Sequence, residues 1–207
     1  ISDRNLQLFS NRERAQQSHY APGERQGAAC KFFSLASKLQ RAIDSGHLAS
    51  IADLAWLLLH GREGLPQDKY TAFHMAEEGS RRGCPHSQGV LALCYSSDEW
   101  YPMKADSEET FAANQRQARR LANASAEAGS KYGQFALGCI LEHDTPNSAR
   151  HVAAHYNAQY ALAAAQGLDE AQVQWGMNLK FETVESGGGQ DEARRLFLLA
   201  AAQGSHD

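Results

Sequence analysis

The chain has few of the residues that β-strands favour. Only eight of its 207 residues are Val or Ile, while Ala, Leu, Gln, Glu and Arg fill its long segments. Beta-branched side chains suit a pleated, half-buried strand, whereas the abundant residues are good helix formers. The sequence therefore predicts an all-α fold without a β-sheet.

A surplus of positive charge and a long apolar run are also absent. The 20 Lys and Arg residues face 24 Asp and Glu residues, which gives a formal net charge of -4. A nucleic-acid backbone or an anionic membrane surface attracts a basic surplus, and a membrane-spanning helix needs about 18 or more consecutive apolar residues. We therefore expect neither a nucleic-acid partner nor a direct membrane span.

The four cysteines show no paired spacing. Because Cys30, Cys84, Cys94 and Cys139 are far apart in the chain, they indicate neither a disulfide framework nor a CxxC metal site. We expect reduced thiols, most of them buried. The chain begins at Ile1 and shows no secretory apolar segment, which favours an intracellular location, with an organelle such as a mitochondrion or plastid slightly preferred after removal of a presequence.

Five glycines divide the chain into similar units. The intervals between them are 37, 46, 38 and 37 residues. Eight, nine and twelve residues after each of the first four glycines come a large, a small and a large residue, and a pair of small residues stands four and three positions before each of the last four. The glycines are Gly46, Gly83, Gly129, Gly167 and Gly204, and the matching triplets are Leu54-Ala55-Leu58, Leu91-Ala92-Tyr95, Leu137-Gly138-Leu141 and Trp175-Gly176-Leu179.

This spacing predicts a repeated helical hairpin. Steps of three and four residues place each set on one face of a helix, and a glycine just past a helix end is typical of a left-handed C-terminal cap. A unit of this size buries its apolar face only against its neighbours. We therefore predict a right-handed α-solenoid of about four antiparallel helix-turn-helix units plus an incomplete N-terminal unit, with residues 1–26 as a partly extended arm and residues 27–207 as the repeat array.

The pattern A-x3-L-G-x2-Y, a loop, and then A-x2-W-Y-x2-A-A-x2-G resembles the Sel1-like repeat family, which is related to the tetratricopeptide repeats. Its best matches are residues 87–95 and 193–204, and the resemblance covers about residues 30–204. The glycine-containing loop of the family survives once, imperfectly, at Gly61-Arg-Glu-Gly64-Leu65. The resemblance implies an adaptor or assembly scaffold and supplies no catalytic residue.

An apolar residue stands ten positions after the anchor glycine in every unit. We call these four residues the apolar strip: Trp56, Leu93, Cys139 and Met177. Their neighbours on the same side, six positions after the anchors, are Ala52, Gly89, Phe135 and Val173. Equivalent positions line up in a stacked array, so the strip either forms the core between adjacent units or lies on the concave face and binds an extended segment or helix of a partner.

The longest unit contains an insertion with large side chains. Trp100, Tyr101 and Met103 fall in the loop of residues 96–110. Trp, Tyr and Met are enriched at protein interfaces. The loop is therefore either an anchor for a partner or a segment that folds back on its own solenoid.

Other patterns that resemble functional motifs have simpler explanations. His151 and His155 are spaced for one helix face, but no third metal ligand is fixed by spacing. Residues 186–189 are glycine-rich without the Lys-Ser or Lys-Thr of a phosphate-binding loop. Asn123-Ala-Ser125 fits a glycosylation acceptor, yet we expect it inside a helix with Ser125 on the packed face. Cys94 and Cys139 are expected to pack against neighbouring helices. We predict no metal, no cofactor and no catalytic residue.

The sequence therefore predicts a non-catalytic protein–protein interaction scaffold. We expect a structural or assembly subunit of a multiprotein complex, whose partners are other protein subunits, and a place at the periphery of a membrane-protein complex is compatible with this role. The first alternative is a regulatory adaptor that binds peptides transiently. The second is a metal-dependent or thiol enzyme built around His151, His155 and a cysteine.

Overall fold

The computed structural model describes residues 26–97, 106–145, 153–186 and 189–204, and every regular element within these ranges is a helix. Hydropathy and length leave none of the described helices able to cross a membrane. The all-helical prediction is confirmed, while residues 1–25 of the predicted arm lie outside the described residues. The nine helices in these ranges are α1 (Gln26–Asp44), α2 (Ala49–His60), α3 (Lys69–Arg81), α4 (Pro85–Ser96), α5 (Glu108–Glu127), α6 (Lys131–Asp144), α7 (Ala153–Ala165), α8 (Asp169–Ser186) and α9 (Gln190–Ala202).

Short polar side chains begin several of these helices. The Asp68 carboxylate accepts a hydrogen bond from the Thr71 amide at 3.0 Å at the start of α3. Ser107 accepts one from the Thr110 amide at 3.2 Å at the start of α5. Each bond satisfies an amide that has no partner within its own helix. The residues before α3 and α5 therefore fix where these helices begin.

The five anchor glycines form matching corners. Their φ angles lie between 78° and 92°. At Gly83, its own amide donates to the Ser80 carbonyl and the Cys84 amide donates to the Gly79 carbonyl, both at 2.9 Å. The same pair of bonds closes the corners at three other anchors, Gly46, Gly129 and Gly167. An added Cβ would meet nothing within 4 Å at any of the five, so the left-handed backbone, and not crowding, favours glycine there.

The helices pair into four units. Unit 1 contains α2 and α3, unit 2 contains α4 and α5, unit 3 contains α6 and α7, and unit 4 contains α8 and α9; the two helices of each unit pack together. The helix α1 packs against α2, as expected for an incomplete opening unit. Among the first helices, α4 also packs on both α2 and α6. We call the first helix of each unit the inner helix and the second the outer helix.

Residues without large side chains let the helices approach closely. A Cβ on Gly89 of α4 would lie 2.6 Å from the backbone carbonyl carbon of Tyr132 and 2.9 Å from the Cα of Gly133, both in α6. A Cβ on Gly138 of α6 would lie 2.7 Å from the Tyr160 ring of α7. Such contacts are possible only because the side chain is missing. The small residues of the repeat pattern are therefore the points where helices touch.

Glutamine pairs repeat between consecutive units. The Gln166 amide nitrogen lies 2.7 Å from the Gln134 side-chain oxygen, and the Gln203 amide nitrogen lies 3.0 Å from that of Gln172. In each pair one residue precedes an anchor glycine and the other follows the previous anchor by five positions. Equivalent positions therefore make equivalent contacts, and the α-solenoid prediction is confirmed. The right-handed sense of the superhelix stays a prediction.

Gly89 tests the close approach of inner helices. We expect Gly89→Ala to lower the free energy of unfolding by about 3 kcal/mol, because the new Cβ meets backbone atoms that move only with the whole of α6. Gly83→Ala is the matched control: it strains a left-handed corner without crowding and should cost about 1–2 kcal/mol. Urea unfolding followed by circular dichroism measures both. A Gly89→Ala variant no less stable than Gly83→Ala would contradict the packing argument.

Candidate partner-binding face

An ion-pair fork joins the two ends of the repeat array. Arg62 follows α2 in unit 1, and its Nη1 donates to the Asp169 carboxylate in α8 of unit 4, 107 positions away. Its Nη2 lies 3.1 Å from Oε1 of Glu170. The contact joins the C-terminal end of one inner helix to the N-terminal end of another. The array therefore curves toward the inner helices, which line its concave face.

Four aromatic rings form a row that runs from the inner helix of unit 1 to the outer helix of unit 3. The ring centre of Trp56 in unit 1 lies 4.8 Å from that of Tyr132 and 5.8 Å from that of Phe135, both in unit 3. Phe135 is in turn 5.8 Å from Tyr160. The ring pairs are tilted or edge-on, the arrangements that aromatic quadrupoles favour. We call Trp56, Tyr132, Phe135 and Tyr160 the aromatic row.

Carboxylates hold the two tyrosines of the row. The Tyr132 hydroxyl donates to Asp53 at 2.7 Å, and the Tyr160 hydroxyl donates to Glu142 at 2.6 Å. Burial is the main cause that raises the pKa of both phenols, and the neighbouring acidic groups add to the rise. Both tyrosines are therefore neutral donors at neutral pH. The row is fixed by hydrogen bonds as well as by ring packing.

Two polar side chains beside Trp56 are incompletely satisfied. Burial raises the pKa of the Glu170 carboxyl group, while Arg62 and the nearby Trp56 indole partly offset this rise. Neither carboxylate oxygen of Glu170 has a well-formed hydrogen bond, and the Nε2 atom of His60 has none. Burial lowers the pKa of His60 to about 4, with Arg62 and Lys69 acting in the same direction. His60 is therefore neutral at pH 7, and its ring centre lies 4.3 Å from that of Trp56.

Comparison with known proteins found solved structures that are similar to this chain. No family model and no curated protein matches this chain. A protective antigen present in uropathogenic Escherichia coli strains, displaying an SLR fold, is 21% identical with a TM-score of 0.44, over 81% of this chain and 36% of that one. A Sel1 repeat protein from Oxalobacter formigenes is 20% identical with a TM-score of 0.30, over 80% of this chain and 65% of that one.

This chain resembles the Sel1-like repeat proteins. It spans less than two thirds of the length of either of those two structures.

Packing between units accounts for most of the apolar strip. Trp56 and Leu93 are only 4% and 9% exposed, and Cys139 packs against the core and is partly buried. Met177, in contrast, is 41% exposed. Among the neighbours six positions after the anchors, Phe135 is also partly buried against the core. Binding of a partner by the strip stays a prediction. Met177 is the residue of the strip whose side chain is exposed.

The structure describes only some of the residues in the predicted insertion and the other predicted motifs. Trp100, Tyr101 and Met103 lie outside the described residues, as does His151. His155 is exposed, as the repeat pattern indicated.

Ser125 is buried within α5, where its hydroxyl donates to the Pro85 carbonyl at 2.5 Å. Its predicted place on a packed helix face is therefore confirmed. In the described part of the chain, no group of three or more His, Cys, Asp or Glu side chains is arranged to hold a metal ion.

Cys94 and Cys139 are poor nucleophiles. Burial raises the pKa of the Cys94 thiol to about 12 and that of the Cys139 thiol to about 11. The thiolate is the reactive form of cysteine, and it is scarce at neutral pH for both groups. These two residues therefore do not favour a thiol enzyme.

Sequence reasoning missed the residues that cover Trp56. Tyr132, whose ring lies against Trp56, gave no separate signal, because it falls at an ordinary packed position of its helix. Asp169 and Glu170 looked like acidic residues of a first helical turn, which are common for electrostatic reasons. Arg62 lies in the one loop that resembles the family loop, and this was the only available hint.

The pH dependence of stability tests the environment of His60. Its folded pKa of about 4 lies below the unfolded value near 6.5, so the unfolded chain binds more protons between these values. Stability should therefore fall by up to about 3 kcal/mol as the pH drops from 6.5 to 4. We expect His60→Gln to remove much of this fall, since Gln does not titrate.

The exposed His155 provides the control. His155→Gln should keep the full pH dependence of the parent protein, measured by urea unfolding at each pH. Equal slopes for the parent and His60→Gln would show that His60 does not stay neutral in the folded state.

Proposed function

We propose that the chain is a non-catalytic protein-binding scaffold, and that it acts as a structural or assembly subunit of a larger complex. The observation that carries this proposal is the stacking of four helical hairpins into one array. Met177, on the inner helix of unit 4, has a side chain that is 41% exposed. A methionine side chain adapts to different apolar partners. Stacked repeats present an extended concave surface suited to protein binding.

The chemistry of the concave face supports the proposal that the scaffold is non-catalytic. Its polar groups are used within the fold, since Asp53 and Glu142 accept from tyrosine hydroxyls and Arg62 pairs with the acidic residues of α8. The raised pKa values of the Cys94 and Cys139 thiols disfavour thiolate chemistry. What the face offers to another molecule is shape and apolar surface.

Site-specific photo-crosslinking tests which layer of the array meets the partner. The photoreactive residue benzoyl-phenylalanine replaces Met177 on the inner helix α8 in one variant and Leu199 on the outer helix α9 in the other. Both side chains are 41% exposed, so exposure does not bias the comparison. We expect position 177 to crosslink to a partner found by affinity purification and position 199 to crosslink weakly. The reverse preference would contradict the concave-face proposal.

The inserted loop has its own test. We expect Trp100→Ala combined with Tyr101→Ala to leave helical content and melting temperature nearly unchanged but to weaken association with the purified partner about tenfold or more, because aromatic anchors contribute much of an interface's free energy. Tyr70→Ala is the control, since Tyr70 is an exposed aromatic residue on the outer helix α3. An unaltered affinity in the double variant would reject the loop as an anchor.

A transient regulatory adaptor is the second candidate. The burial of Trp56 and Leu93 favours it, because it leaves less apolar surface for a large permanent interface. A transient adaptor would bind a short peptide with roughly micromolar affinity and would be a stable monomer alone. Calorimetric titration with the identified partner distinguishes it from a permanent subunit.

A further inference from the structure

Neighbouring units of the array meet through different sets of helices. Units 1 and 2 meet where α4 packs on both α2 and α3, and units 2 and 3 meet where α6 packs on both α4 and α5. In the described part of the chain, α8 of unit 4 packs on α7 and α9, without comparable packing on the inner helix α6. Between α6 and α8, the Gln174 side-chain amide donates a hydrogen bond to the Glu142 carboxylate at 3.1 Å. Unit 4 is therefore attached to unit 3 mainly along one helix pair.

The residue six positions after the anchor glycine accounts for this difference. In unit 2 it is Gly89, where a Cβ would lie 2.6 Å from the backbone carbonyl carbon of Tyr132 in α6. In unit 3 it is Phe135, whose ring centre lies 5.8 Å from those of both Trp56 and Tyr160. A large ring at this position excludes the close backbone contact that a glycine admits. The inner helix of unit 4 therefore lacks the contact that fixes the inner helix of unit 3.

The ion-pair fork supplies a second attachment for unit 4, and it comes from unit 1. Nη1 of Arg62 donates to the Asp169 carboxylate and Nη2 lies 3.1 Å from Oε1 of Glu170, both in the first turn of α8. The Arg62 side chain is 27% exposed and the two acidic side chains are each 12% exposed, so salt screens this contact less than it screens a surface ion pair. A guanidinium group that meets two carboxylates also holds a defined direction.

The backbone that carries Arg62 is itself held in place. Gly61 adopts a left-handed conformation with a φ angle of 67° at the end of α2. The Arg62 amide donates to the Leu57 carbonyl at 3.0 Å, and the Leu65 amide donates to the Arg62 carbonyl at 3.0 Å. The guanidinium group therefore extends from a closed turn, which ties the position of α8 to that of α2.

We propose that the ion-pair fork of Arg62, Asp169 and Glu170 is a brace that sets the tilt of unit 4, and that unit 4 rotates about the α7–α8 contact when the fork is broken. The fork takes the place of the inner-helix packing that Phe135 prevents. Units 1 to 3 keep their arrangement without it, because two helix pairs join each of them to the next. This inference concerns the curvature of the array and does not depend on what the array binds.

Distances between spin labels measure the position of unit 4. The residue p-acetylphenylalanine, which takes a spin label without using the native cysteines, replaces the exposed Glu77 in α3 together with either Leu198 in α9 or Leu162 in α7. We expect Arg62→Met to broaden the distribution of distances between positions 77 and 198 about twofold, because a unit held along one helix pair rotates about that line. The distribution between positions 77 and 162, in units 1 and 3, should keep its width.

The matched control is Arg119→Met. Arg119 pairs with Asp144 and so also joins two units, but these are units 2 and 3, which meet through two helix pairs. Its loss should leave both label distances unchanged. The double variant Asp169→Asn with Glu170→Gln removes the charges from the other side of the fork while retaining the side-chain shapes, and it should reproduce the effect of Arg62→Met.

The outcomes separate a brace from a general loss of structure, with helical content checked by circular dichroism. An unchanged distance distribution between positions 77 and 198 in both fork variants overturns the proposal. Equal broadening of both distributions also overturns it, because the array would then be loosened as a whole. If Arg62→Met does not fold, the double variant decides alone. If neither fork variant folds, the fork is needed for the fold itself and its role as a brace on unit 4 is rejected.

Discussion

Each helical hairpin of this protein buries much of its apolar surface against other hairpins, so the array depends on how closely neighbouring helix backbones can approach. That approach is set where a side chain is missing. Gly89 admits the backbone at the start of α6, and Gly176 faces the Phe197 ring, where a Cβ would lie 2.9 Å from the nearest ring carbon. A larger residue at such a point separates two whole helices. Stability in such an array is distributed over its interfaces.

The corners and the helix faces were predictable because short stretches of chain determine them. A left-handed cap depends on its glycine and the few residues before it, and Gly46 and Gly83 adopt such caps with φ angles of 92° and 81°. The alternation of large and small residues at helical spacing is equally local. Repetition added certainty, because four units with the same pattern are hard to explain by chance. The fold class and the phase of the units therefore followed from the sequence.

The contacts across the concave face were not predictable in the same way. Whether Tyr132 of unit 3 reaches Trp56 of unit 1 depends on the curvature accumulated over two interfaces, and small rotations in each unit add up. The pairing of Arg62 with Asp169 spans three interfaces and is therefore even more sensitive to these small rotations. The sequence alone shows only an arginine in a loop and an acidic residue at the start of a helix. Nothing in their spacing brings the two together.

Equivalent positions of a repeat need not have equivalent roles. Trp56 and Met177 both stand ten residues after an anchor glycine, yet Tyr132 and Phe135 cover the first, while the second is 41% exposed. The difference follows from position in the array, because unit 3 lies against Trp56 of unit 1, whereas Met177 belongs to unit 4, the last unit described. The repeat pattern thus identifies the residues that build the array, whereas the exposure of an equivalent position depends on which other unit lies against it. In a stacked array, function is best sought where the same position meets a different environment.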